Sequence, residues 1–101
     1  SKAATTRTIP HKFTTYTTDT AVAQSRVIYR ITGVTTAANG VFGVYNIGTT
    51  GAAAAANLAI EGGEGTAGDA LPHYDFGPDG ISLDTGATVI VSNCNVTMEW
   101  G

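Results

Sequence analysis

The stretch Asp75-Phe-Gly-Pro-Asp-Gly-Ile-Ser-Leu-Asp-Thr-Gly-Ala-Thr-Val-Ile-Val-Ser-Asn-Cys-Asn-Val-Thr-Met-Glu-Trp100 decides the fold. Pro78-Asp79-Gly80 is a turn signal, because Pro presets φ and Gly accepts a positive φ. Ile81 and Leu83 alternate with Ser82 and Asp84, and Thr85-Gly86 ends that run. Thr88 to Ser92 is rich in β-branched residues and reads as a strand. Asn93-Cys94-Asn95 turns the chain. Val96, Met98 and Trp100 then alternate with Asn95, Thr97 and Glu99, which places three large apolar side chains on one face of a strand. The expectation is a three-strand meander around which the rest of the chain pairs.

Working outward, Arg26 to Thr32 alternates well enough for a strand, with Val27, Tyr29 and Ile31 inward and Arg26 and Arg30 outward. Ile28 breaks the alternation and is expected to meet a partner. Phe13 to Thr18 is a first strand, with Phe13 and Tyr16 on opposite faces. Asn39-Gly40 predicts a type I′ hairpin, since both residues accept a positive φ. The hairpin would join the strand ending near Thr36 to Val41–Ile47. In the latter, Val41, Tyr45 and Ile47 share one face and Phe42 and Val44 the other, as in a central or interface strand. Gly43 either weakens it or admits another backbone. The Ala52–Ala56 run favours helix by propensity, but it is short, glycine-bounded and without an apolar stripe. A strand or irregular segment of small side chains is expected there. Glu61–Gly68 reads as a glycine-rich loop, and Leu71–Phe76 leads back to the meander. Short strands between regular turn signals predict an all-β, single-domain antiparallel β-sandwich of jelly-roll kind.

The 101 residues suffice for one domain with a thin core. Charged residues are only 13%, about half the usual share. Thr fills the gap with 17 copies, which suits a pleated surface, a surface covered by something, or one tolerating like copies. Lys2, Arg7, Lys12, Arg26 and Arg30 all lie within the first 30 residues, whereas seven of the eight acids follow residue 60. That asymmetry suits head-to-tail self-association or docking on an acidic partner, and equally a set of ion pairs within one sandwich. The five cations are the candidate partner-binding residues. They are too few and too dispersed, with no aromatic platform among them, to predict nucleic-acid binding. Residues 1–12 read as a basic arm and 13–101 as the sandwich domain. No apolar run has the length of a membrane span or the form of a secretory signal, and Ser1 is what methionine removal leaves, so a cytosolic product is expected. Cys94 is the single cysteine, which excludes an internal disulfide and predicts a buried thiol.

Leu83-Asp84-Thr85-Gly86-Ala87 resembles the Asp-Thr-Gly motif of aspartic proteases, and the chain length suits a dimeric one. Only 15 residues follow Gly86, however, which leaves no room for a flap, so this is a remote alternative beside a plain turn. Asp75, Asp79 and Asp84 lack the spacing of a calcium loop and read as turn caps. Gly62-Gly-Glu-Gly-Thr66 lacks the lysine and the following helix of a phosphate loop. His11 and His73 have no third partner, and the sequon at Asn95-Val-Thr97 has no secretory context. No catalytic residues, cofactor or metal are expected.

Taken together, Tyr74–Gly86, Thr88–Ser92 and Asn95–Trp100 resemble the small β-sandwich virion proteins of tailed bacteriophages, of the capsid decoration or cement type. The first half matches in style, through Arg26–Thr32 and the hairpin after it. The resemblance implies a structural role on the capsid exterior. The partners would be the major capsid protein and further copies of the chain, often as a trimer. An alternative from another class is a minor head, tail or fibre component that binds a receptor or glycan, with Tyr16, Tyr45, Tyr74 and Trp100 as a sugar platform or, equally, as core.

Overall fold

The computed structural model describes residues 11–101. Nine strands occur among them: β1 (Lys12–Tyr16), β2 (Thr20–Val22), β3 (Arg26–Thr35), β4 (Gly40–Tyr45), β5 (Leu58–Glu64), β6 (Tyr74–Asp75), β7 (Ile81–Leu83), β8 (Ala87–Ser92) and β9 (Cys94–Trp100). One sheet, here sheet A, runs β1-β9-β3-β6 with β7 also on β3; sheet B runs β2-β8-β4-β5. Every pairing is antiparallel.

The order is that of a jelly roll. An antiparallel ribbon pairs β1 with β9, β2 with β8, β3 with β6 and β7, and β4 with β5. Rolling the ribbon closes β9 onto β3 and β8 onto β4. The sixth ribbon strand is split into β6 and β7 by the turn at Phe76–Gly80, where Gly77 and Gly80 take positive φ. The all-β antiparallel sandwich expected from the sequence is the fold observed.

The expected meander is not. β7, β8 and β9 alternate between sheets A, B and A, so β8 and β9 are not neighbours. Asn93, at φ 57, bends one continuous segment from sheet B into sheet A. The Asn39-Gly40 hairpin is likewise replaced by a crossover. Asn39 takes φ 59, but Gly40 does not share the left-handed conformation that a type I′ turn requires. β3 therefore passes into β4 in the other sheet instead of folding back on it. The two crossovers lie side by side. Thr36 N donates to Asn93 O (2.8 Å), and Asn93 Nδ2 donates to Ala38 O (3.1 Å).

A second correction concerns Ile28. It stands opposite Trp100, and Arg30 opposite Glu99, so Tyr29 is an extra residue in β3. This bulge shifts the alternation by one. Ile28 and Ile31 both point inward and are fully buried, whereas Val27 and Tyr29 are only half-buried. Arg26, two residues before Ile28, is carried to the inner side, while Arg30 stays outside.

The core joins both sheets through Ile28, Ile31, Phe42, Val44, Val89, Val96 and Met98, with Leu71 and Leu83 closing it. Val96 and Met98 are fully buried as the final alternation predicts, and Trp100 packs partly buried at their end. Thr35 is a buried polar residue at the crossover. Its hydroxyl donates to Thr66 O (2.6 Å) and accepts from Asp69 N (3.0 Å), which ties the loop after β5 to β3. The alanine run forms two 3₁₀ turns, Thr50–Ala52 and Ala55–Asn57. The predicted loop at Glu61–Gly68 is half strand: Glu61–Glu64 belong to β5. Glycine suits Gly62 because the Tyr74 ring packs where a Cβ would stand.

Candidate functional site

Three local constellations carry the polar and exposed aromatic chemistry of the described residues. The first lies where β1, β9 and β3 meet at one end of sheet A. Trp100 closes the core there, and its Nε1 donates to Thr14 Oγ1 (2.9 Å). The Arg26 guanidinium lies 3.5 Å from the centroid of the Trp100 ring, and Lys12 Nζ lies 5.0 Å from it. Two cations on one indole are a cation–π arrangement. Arg26 Nη1 donates to the Tyr16 hydroxyl (2.9 Å), while its buried Nε finds no acceptor among the described residues. The indole face and the lost hydration compete at that nitrogen, so Arg26 is a packing residue as much as a charge.

The second constellation is on the outer face of sheet A. The bulge at Tyr29 turns its ring outward, and His11 stacks on it with 3.8 Å between centroids and 8° between planes. With its proton on Nδ1, His11 donates to Glu99 Oε2 across 2.6 Å. Arg30 lies 3.9 Å from Glu99 and 3.5 Å from Asp75. These groups, with Gly77 and Pro78, line a recess of about 300 Å³. No Ser, Thr or Cys lines it, and its charged groups are paired with one another. Each positive group faces a carboxylate, and the ion pairs of the half-exposed Arg30 are screened by water.

The third is on the outer face of sheet B. Ile90, Gly43 and Glu61 form one rung across β8, β4 and β5. A depression of about 320 Å³ lies beside this rung between Val41, Tyr45 and Ile90. Tyr45 leans over Gly43, and a Cβ there would come within 2.9 Å of the tyrosine ring.

The candidate partner-binding residues do not form one patch. Lys12 and Arg26 are drawn onto Trp100, Arg30 stands on the outer face, and Lys2 and Arg7 lie outside the described residues. The arm boundary is likewise largely outside them, although Lys12, its last residue, already opens β1. Tyr16 is buried, Tyr74 meets Phe42 edge-on and accepts from Gly63 N, and Tyr45 sits on sheet B. With Trp100 at the end of sheet A, the four aromatics make no common platform. Asp84 is exposed in the turn before β8, and Thr85 N is held by Asn46 Oδ1 (2.9 Å). Asp75 caps Gly77 N (2.9 Å), the turn role expected of it. No group of three or more acids, histidines or cysteines comes together to hold a metal among the described residues. Cys94 is buried, and burial pushes its thiol up from the ordinary range, so it stays protonated near neutral pH.

Sequence reasoning missed the His11–Glu99 pair and the exposure of Phe13. The pair joins residues 88 apart and becomes visible only once β1 is known to lie against β9. Phe13 carried its signal openly, as a large apolar residue flanked by polar ones. No protein-family model, curated protein or solved structure matches the chain, so the resemblance to phage virion proteins rests on the residue pattern alone.

Proposed function

We propose that the chain is a structural protein of a virus particle, a capsid decoration or cement module that binds the major capsid protein, associates with further copies of itself and performs no chemistry. The observation that carries this reading is the distribution of charge over the jelly roll. The strands of sheet A hold Lys12, Arg26 and Arg30 against Asp75 and Glu99, whereas those of sheet B hold Glu61 and Glu64 and no cation. Summed over their strands, the two sheets thus differ in formal sign, three cations against two acids in sheet A and two acids alone in sheet B, as suits a module packed between unlike neighbours. The jelly roll supports the reading as an analogy of fold, since that architecture recurs in viral coats as well as in lectins. A surface of threonines with few charges supports it further. Thr15, Thr97 and Thr32 form a rung across β1, β9 and β3, with the first two hydroxyls 2.8 Å apart. Such a face can be covered without burying unpaired charge.

The test is co-sedimentation with capsids stripped of the chain. The full chain is expected to pellet with them saturably. Deleting residues 1–10, which removes Lys2 and Arg7 and spares β1, is expected to weaken binding about ten-fold while leaving the circular dichroism spectrum unchanged. A full chain that stays in the supernatant at every concentration refutes the reading.

A further inference from the structure

Phe13 is a large apolar side chain left 68% exposed on the outer face of sheet A. It shares a rung with Glu99 and, one strand further, with Arg30. Arg30 is half-exposed and reaches only loose ion pairs, at 3.5 and 3.9 Å. On the outer face of sheet B the rung Ile90–Gly43–Glu61 has the complementary form. Beside it lies the depression between Val41, Tyr45 and Ile90, with Val41 52% exposed, and the rung ends on an exposed carboxylate. Phe13 lies two strand spacings, about 10 Å, from Arg30, and the depression lies one to two from Glu61, a difference that the long Arg30 side chain spans. The knob and the depression are therefore complementary in shape and charge.

We propose that Phe13 of one copy seats in the depression between Val41, Tyr45 and Ile90 of a second copy, with Arg30 reaching toward Glu61 across the contact. This deepens the self-association in the function proposed above and rests on it. An isolated exposed phenylalanine is ordinary. Here, however, the same chain also presents an apolar depression with a rim of opposite charge. The occupant that satisfies both is another copy of the chain. A seated aromatic side chain removes about 150–250 Å² from water. Because knob and depression lie on opposite sheets, the contact is heterologous. Each copy keeps one free knob and one free depression, so the contact closes into a ring or runs on as a filament.

The experiment is analytical ultracentrifugation of the full chain over a concentration series. Wild type is expected to associate beyond a dimer. Phe13→Ala and Val41→Lys change exposed side chains on opposite sheets, and each is expected to weaken association about ten-fold or more. The deciding arm mixes the two variants. Phe13→Ala keeps its depression and Val41→Lys keeps its knob, so the mixture is expected to form a one-to-one dimer and nothing larger. A mixture that stays as dissociated as either variant alone overturns the proposal, as does a wild type that stays monomeric throughout. Co-sedimentation separates the two failures. A monomeric chain that still binds capsids ends this contact and leaves the particle reading standing, whereas an associating chain that no capsid retains does the reverse.

Discussion

At the scale of single residues, the bulge at Tyr29 decides more than any other feature. It puts Ile28 into the core and turns Tyr29 out to receive His11. Strict alternation would leave Ile28 on the surface, where truncation changes stability by roughly 0.5 kcal/mol or less. Its complete burial leads to a different expectation. Ile28→Ala should cost about 2–5 kcal/mol, from lost transfer energy and the cavity left behind. Urea unfolding measures this directly. A midpoint unchanged from wild type would mean that Ile28 does not face the core. The bulge was not legible because it depends on how β3 pairs with β9, and Arg26 to Thr32 alternates acceptably on its own. By contrast, Val96, Met98 and Trp100 were legible, since their strand has no insertion and its alternation survives intact.

At the scale of elements, the sequence signals located turns correctly but not what the turns connect. Asn39 and Asn93 are the only non-glycine residues with positive φ among those described, and both had been marked as turn positions. Each passes the chain between sheets, and the pair is locked by hydrogen bonds between the crossovers. Gly40 is required there by space. A Cβ would come within 2.7 Å of both Asn93 O and Thr35 Cγ2. Backbone and a buried threonine cannot both yield, so Gly40→Ala is expected to destabilise by about 1–3 kcal/mol. In a hairpin turn open to solvent the same change would strain only the turn itself. Asn39→Gly, which keeps the left-handed conformation available, should remain within about 1 kcal/mol of wild type. Thermal unfolding of the two variants side by side gives the comparison, and equal stabilities would contradict the packed crossover. Glu61–Glu64 teaches the same lesson. A run of glycines signals a loop unless a neighbouring ring takes their place, and Tyr74 does so here.

At the scale of the whole molecule, the sandwich could be read from strand length and turn spacing, because these depend on local chemistry. The jelly-roll order could not be derived the same way, since it rests on the contacts β1–β9 and β2–β8 between the two ends of the chain. The candidate site divides similarly. The five cations were visible as a cluster in sequence, yet the fold disperses the three that are described: two onto Trp100, one onto the outer face of sheet A. The depression on sheet B was foreshadowed only by Gly43, a glycine inside a strand pattern. What emerges is a module with one cation-bearing sheet and one acidic sheet, an exposed aromatic on the first and a depression on the second. Such a molecule suits repeated packing on a lattice. The most direct measurement is therefore quantitative mass spectrometry of purified virus particles, comparing the copy number of this chain with that of the major coat protein. The account predicts a ratio near one or a simple lattice fraction of it. A chain absent from particles, or present in only a few copies each, would contradict a role as capsid cement.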